Sequence, residues 1–293
     1  MHHKTKGYKI FTIFNYAFMI IVSFLCLFPL IHILAVSLSG SAPATANIVG
    51  LWPVDFTIDA YERTLANENF LRALWVSVNR VVLGTIVSMG LLLCAAYALS
   101  KSDRDFKGRK IYMWFFVFTM LFNGGLVPTY IVVTRLGLGD SIWALVLPPA
   151  INAFNMILLL NFFRTSVPKS LEESAFIDGA GHFKIFLKIY LPISVPAIAT
   201  ISLFTMVFHW NSWFDGLIYN TNAANYPLQT FLQTIVVQQD FSNVDVDAEM
   251  MRNLSQRTVQ AAQIFISALP MLIVYPFLQR FFVKGIVLGA DKE

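Results

Sequence analysis

Apolar residues along this chain fall into six long runs separated by short polar clusters. The runs extend from about Ile13 to Val36, Leu74 to Leu99, Tyr112 to Val133, Ser141 to Phe163, Ile193 to Phe214 and Ala261 to Gln279. Each holds 19 or more residues, enough for a helix to cross about 30 Å of hydrocarbon. Across 136 residues the six runs carry one formal charge, Arg80. A membrane β-barrel would instead alternate apolar and polar positions over segments of about ten residues, and that alternation is absent. The pattern predicts an all-α integral membrane protein with six transmembrane helices.

Composition agrees with that pattern. Charged residues make up 13% of the 293 residues and hydrophobic ones 57%, where a soluble domain carries about 25% charge. Mean hydropathy is +0.64. So little charge leaves too few polar groups to cover a soluble surface, and so much apolar character excludes intrinsic disorder. The two cysteines, Cys26 and Cys94, lie within apolar runs and read as small buried hydrophobes; nothing requires a disulfide between them.

The net charge of +4 raises the question of a nucleic-acid partner, but no basic face or basic helix is present to make one. The positive charges cluster between apolar runs, as membrane topology demands. With the N-terminus placed in the cytoplasm, the inner segments hold 15 Lys and Arg and the outer loops hold five: Arg63, Arg72, Arg135, Arg252 and Arg257. The positive-inside rule then puts both termini in the cytoplasm. The first run follows Lys4, Lys6 and Lys9, as a signal peptide would. Its 24 residues exceed an ordinary signal-peptide core, so an uncleaved first helix is expected.

Three loops are long enough to carry function. Two face outward: 37–73, and 215–260 with its acidic stretch Asp240 to Glu249. One faces inward, 164–192. Several kinds of chemistry are missing. Gly-Ala-Gly-His-Phe-Lys at 179–184 lacks the Gly-Lys-Ser/Thr of a phosphate-binding loop, and no HExxH, CxxC or GxSxG occurs. The five histidines are too scattered to propose a metal site, and the spans lack the carboxylates of a proton relay. No catalytic residue, metal or cofactor is expected on this chain.

The inner loop is the most informative stretch. Residues 172–192 read EESAFIDGAGHFKIFLKIYLP. A short helix is expected from Leu171 to Ile177, then a tight turn at Gly179 and Gly181 with φ > 0. A second amphipathic run with Phe183, Phe186, Leu187 and Ile189 follows. Half apolar and half charged, such a helix–turn–helix suits docking in a groove of another protein or lying in the membrane interface. Here the chain resembles the permease subunits of binding-protein-dependent ABC importers of the carbohydrate type. Their cytoplasmic motif, EAA--DGA----------LP in outline, is matched by Glu173, Ser174, Ala175, Asp178, Gly179, Ala180, Leu191 and Pro192, with Ser174 in place of the usual Ala. Trp210-Asn211-Ser212-Trp213-Phe214, Tyr226-Pro227-Leu228-Gln229 and the tail FFVKGIVLGA at 281–290 resemble further segments of that family, the tail in particular that of the maltose-type permeases. The ending Asp291-Lys292-Glu293 departs from the family's Lys-Gly.

The resemblance implies a type I importer permease fold. It divides the chain into a cytoplasmic segment 1–12, a six-span domain 13–283 containing the coupling loop 164–192, and a cytoplasmic tail 284–293. It implies that Glu173, Ser174, Ala175, Asp178, Gly179, Ala180 and Phe183 couple the chain to an ATPase. The implied partners are a second permease subunit, two ATPase subunits that bind ATP and Mg, an extracytoplasmic solute-binding protein and an oligosaccharide, in a bacterial cytoplasmic membrane whose lipid surrounds the spans. Candidates for the translocation path are Arg80, His209, Trp210, Asn211 and Trp213. For Arg80 three readings stand open: snorkelling to the interface, pairing with an acid, or a cavity cation that eases an anionic sugar through. The whole chain is closest in style to importers of acidic oligosaccharides such as alginate or oligogalacturonide. A neutral oligosaccharide, another small solute, or a membrane scaffold or sensor are the alternatives.

Overall fold

Long apolar sequence becomes long helix wherever no residue interrupts the hydrogen-bond ladder. In the computed structural model, which describes residues 6–239 and 256–276, helix α1 runs Lys6–Ser37, α2 Glu68–Ser100, α3 Arg109–Leu121, α4 Leu126–Arg135, α5 Ala153–Ser166, α6 Lys169–Ile177, α7 His182–Ile193, α8 Val195–Asn211, α9 Leu228–Gln239 and α10 Gln256–Pro276. Shorter helices fill several of the gaps. Among the described residues there is no strand.

Three of these helices, α1, α2 and α10, are long and apolar enough to span a bilayer unbroken. Of the six transmembrane helices expected, the described residues hold three as unbroken helices, while the remaining apolar runs are bent or interrupted. The predicted third span breaks into α3 and α4, with a bend of 117° between them. The break falls at Asn123, whose Oδ1 accepts from the Gly125 amide at 2.9 Å, a side-chain turn that competes with the helical ladder. The predicted fourth span breaks at Pro148-Pro149, because proline has no amide to donate. The helix restarts where the Asn152 side chain accepts from the Asn155 amide at 3.0 Å and caps α5. The fifth is preceded by α7, bent 81° from α8 across Ser194. Counting each bent pair as one span gives up to five. The acidic stretch Asp240 to Glu249, the tail 281–290 and the end of the sixth predicted span lie outside the described residues.

The described residues divide into two compact units, at Phe70/Leu71, Val236/Val237 and Leu269/Pro270. In the first, Ala35 and Val36 at the end of α1 pack with Ala44, Val49 and Ala261. Ser39 ties this corner by donating to Ala35 O at 2.6 Å and accepting from the Val54 amide at 3.0 Å. The preceding turns of α1 are exposed and apolar, as suits a helix that faces lipid. The second unit is built around a core of Met89, Leu92, Ala96, Leu99, Met156, Leu159, Leu160 and Phe163, closed by Ile185, Tyr190 and Ile201. This core ties α2 and α5 to the start of α8 and to loop 164–192. Cys26 and Cys94 are free thiols, and both are exposed rather than buried. An apolar side chain in a membrane helix need not be inside the protein, since lipid solvates it equally well.

Candidate functional site

Loop 164–192 folds as the helix–turn–helix its pattern predicts, with one correction. Helix α6 ends in a Schellman cap. Gly179 stands at φ 76°; its amide donates to Phe176 O at 3.0 Å and the Ala180 amide reaches back to Ala175 O at 2.9 Å. Gly181, expected to share the positive φ, lies at φ −77°. The spacing of the motif thus has a local cause. Ala175 and Ala180 are the two ends of one capping bond and both rest on the core, Asp178 is the last half-helical residue, and Gly179 makes the left-handed step. Ser174 is accommodated because its hydroxyl donates to Ser170 O at 2.8 Å, as a serine within a helix often does. The return stroke, α7, contains a π-helical turn over Phe186–Tyr190, a device frequent at functional sites.

What the loop presents is apolar. Ile177 is 86% exposed and Phe183 75% exposed, while Glu173, Ser174, Asp178 and Gly179 are also exposed. An apolar tip with a polar rim is a docking feature.

Behind the tip lies a buried charge cluster that sequence reading missed. The Lys101 ammonium, just past the end of α2, is ion-paired with Glu172 of α6 and donates to Tyr190 Oη at 3.2 Å. Tyr190 donates in turn to the other Glu172 oxygen at 2.7 Å. The ammonium stands 3.9 and 4.2 Å from the ring centroids of Tyr97 and Tyr190, within cation–π range. Burial lowers the Lys101 pKa from its ordinary value, opposed by the hydrogen bond and charge of Glu172. Burial and the same carboxylate raise the Tyr190 phenol. Only the mismatch of a lysine and a glutamate flanking an otherwise apolar core hinted at the pair.

A second constellation gathers the path candidates. Arg80 on α2 is fully buried. Its guanidinium forms a two-pronged pair with Asp215, one prong at 3.1 Å, and also donates to Ser212 O at 3.1 Å. Of the readings open for Arg80, the structure therefore shows pairing: the side chain is neutralised inside the protein. Asp215 was missed, although an acid one residue beyond Trp-Asn-Ser-Trp-Phe was the obvious counter-ion for the one charge in the spans. His209 and Trp210 are buried as well, at 1% and 4% exposure. A Cβ on Gly84 of α2 would stand 2.6 and 2.7 Å from ring atoms of His209, so α2 and α8 approach closely only because glycine is there. Asn211 and Trp213 instead line an open cleft of about 660 Å³, together with Phe208, Phe214, Pro148 and Tyr219. The structure thus separates the five candidates by exposure: Arg80, His209 and Trp210 are buried, His209 at the wall of a second cavity of about 490 Å³, while Asn211 and Trp213 line the open cleft.

Beside Tyr219 of that cleft, whose carbonyl accepts from the Asp140 amide at 2.9 Å, Asp140 fastens two loops. Its carboxylate accepts from the Thr221 amide and hydroxyl, both at 2.7 Å, and from the Asn222 amide at 3.1 Å. These bonds hold the Asp140 carboxyl below its ordinary pKa.

The whole arrangement is that of an importer permease. A chain from a crystal structure of a bacterial ABC transporter that imports the acidic polysaccharide alginate superposes with a TM-score of 0.84, at 33% identity, over 96% of this chain and all of that one. This chain belongs to the permease subunits of carbohydrate ABC importers, non-catalytic membrane components of those machines. It is 43% identical over 287 residues to the polygalacturonan/rhamnogalacturonan transport system permease protein YtcP of Bacillus subtilis (strain 168), covering 97% of this chain and 99% of that protein. It is 39% identical over 290 residues to Protein LplC of the same organism, covering 99% and 97%. No family model matches the chain.

Proposed function

We propose that this chain forms half of the translocation path of an ATP-driven importer of acidic oligosaccharides, alginate- or pectin-like. The supporting observation for the cargo is likeness. The alginate importer and the polygalacturonan/rhamnogalacturonan permease both handle, by name, uronate-containing polymers, and each matches this chain over nearly its full length. On this reading the working complex holds a second permease subunit, two ATPase subunits binding ATP and Mg, and an extracytoplasmic solute-binding protein. The chain crosses a bacterial cytoplasmic membrane six times, with both termini inside. The two bent helix pairs and segment 142–166 supply the crossings that are not single straight helices.

Within this reading α6 and its turn are the coupling helix. Ile177 and Phe183 enter a groove of the ATPase, with Glu173, Ser174 and Asp178 on the rim. Ala175, Gly179 and Ala180 hold the turn in shape. Asn211 and Trp213 face the path, where an aromatic ring packs on the apolar face of a sugar and an amide bonds its hydroxyls. Arg80 acts one step back: it fixes the corner 211–215 through Asp215 and Ser212, rather than meeting the cargo. ATP closure of the ATPase pair moves α6, and the path opens outward to accept sugar from the binding protein. The experiment is to reconstitute the full complex and ask which loaded binding protein stimulates its ATPase. Stimulation by oligouronates and not by neutral glucans is expected. Stimulation by neutral oligosaccharides alone would overturn the assignment of cargo.

A further inference from the structure

We infer that Lys101 is a positioning residue that hands the movement of α6 to α2, so that the coupling signal enters the membrane-spanning part at the end of α2; this rests on the reading of α6 as the coupling helix. The geometry is specific. Lys101, Glu172 and Tyr190 close a triangle of hydrogen bonds between three elements: the end of α2, the inner face of α6 and the π-helical turn of α7. The Lys101 side chain is 6% exposed and that of Glu172 16%. Two aromatic faces fix the direction from which the ammonium reaches the carboxylate. Neighbouring acids on α6 are divided in role. Glu173 is exposed, whereas Glu172 turns inward to the lysine.

The same end of α2 is held at three more points. Arg164 donates to Leu99 O at 3.1 Å, Arg109 to Lys101 O at 3.0 Å, and Tyr97 to His182 O at 3.0 Å. Each of these is a neutral-acceptor bond that can be exchanged for water. The Lys101–Glu172 pair is different in kind. Sliding α6 away would leave the buried Lys101 ammonium without its counter-ion, which is costly, so α2 follows α6. Packing alone between α6 and α2 would permit slippage; a buried ion pair with its hydrogen bonds satisfied does not.

The test uses the reconstituted complex with both permease subunits, the ATPase subunits and loaded binding protein. Uptake per ATP hydrolysed is measured alongside co-purification of the ATPase. Lys101→Met and Glu172→Gln are each expected to lower uptake per ATP about five-fold or more, with ATPase co-purification unchanged. Lys101→Arg keeps the cation and should restore most of the ratio. A wild-type ratio in Lys101→Met, or an equal loss in Lys101→Arg, overturns the inference. Should Lys101→Met fail to assemble, Glu172→Gln decides between the same two outcomes, since it keeps side-chain shape while removing the charge and one of the two accepting oxygens. Phe183→Asp run in parallel tests the underlying reading. If that variant still binds the ATPase and transports, the coupling-helix assignment has failed, whatever Lys101 does.

Discussion

At Gly179 the constraint is torsional, not spatial. A Cβ there would touch nothing within 4 Å, so bulk is no obstacle, but φ 76° costs an L-residue roughly 1–2 kcal/mol. Gly179→Ala should therefore fold and transport weakly, because the strain is modest. Gly179→Pro should insert normally yet abolish uptake: its ring cannot reach that φ, and it removes the amide that caps Phe176. Normal uptake by the proline variant would sink the coupling-turn assignment. Arg80 makes a contrasting case. Asp215→Asn leaves a buried guanidinium without its charge partner, a loss of about 3–5 kcal/mol in comparable pairs. Detergent-solubilised Asp215→Asn should melt well below the parent, and Arg80→Gln should impair uptake of neutral and uronate oligosaccharides alike. Loss of uronate uptake only would restore Arg80 to a direct role on the path. Both residues were visible in sequence, Gly179 through its motif and Arg80 as the lone charge of the spans. Their partners were not, because Asp215 is 135 residues away and the capping bonds need backbone angles.

At the scale of elements, hydropathy located the apolar material but not its interruptions. A run such as Tyr112 to Val133 is apolar on average, so averaging over it hides the Asn123-Gly124-Gly125 break at which the backbone bends by 117°. Pro148-Pro149 was a readable stop, since two consecutive residues lack an amide to donate, whereas the single Pro29 is carried inside α1. The inner helix–turn–helix was the most legible element, because its cap is local in sequence. The Lys101 cluster was the least, because it joins residues 71 and 89 positions apart. The Asp140 clasp gives an element-scale prediction. Its folded pKa is lowered by the Thr221 and Asn222 bonds. Its contribution is therefore complete above the unfolded value of about 3.9 and is lost as pH falls through the lower folded value. Hydrogen exchange of the Thr221 and Asn222 amides should stay slow from neutrality down to about pH 4 and quicken below it. In Asp140→Ala it should be fast throughout. Quickening near neutrality in the parent would show that another group holds the clasp.

For the molecule as a whole, charge is sorted by purpose. Among the described residues the buried cations are paired: Arg80 with Asp215, Lys101 with Glu172. Fold class and family were legible because they rest on long runs and on motifs held within one loop. The division of candidates into buried and cleft-lining was not, since a run such as His209 to Trp213 has no periodicity that tells the two apart. Transplanting loop 164–192 from a relative should keep the parent's full thermal stability only when the incoming loop carries an acid at position 172, the partner of Lys101; melting of such chimeras would check this.

The Arg80–Asp215 pair also has a timetable. Ribosomes make Arg80 first and Asp215 only 135 residues later, a gap of roughly 7 to 27 seconds at ordinary rates of synthesis. Throughout that interval the second span enters the bilayer with its cation unanswered. The span must wait beside the insertion machinery, or ride high with its guanidinium at the headgroups, and settle to its final depth only when the acid arrives.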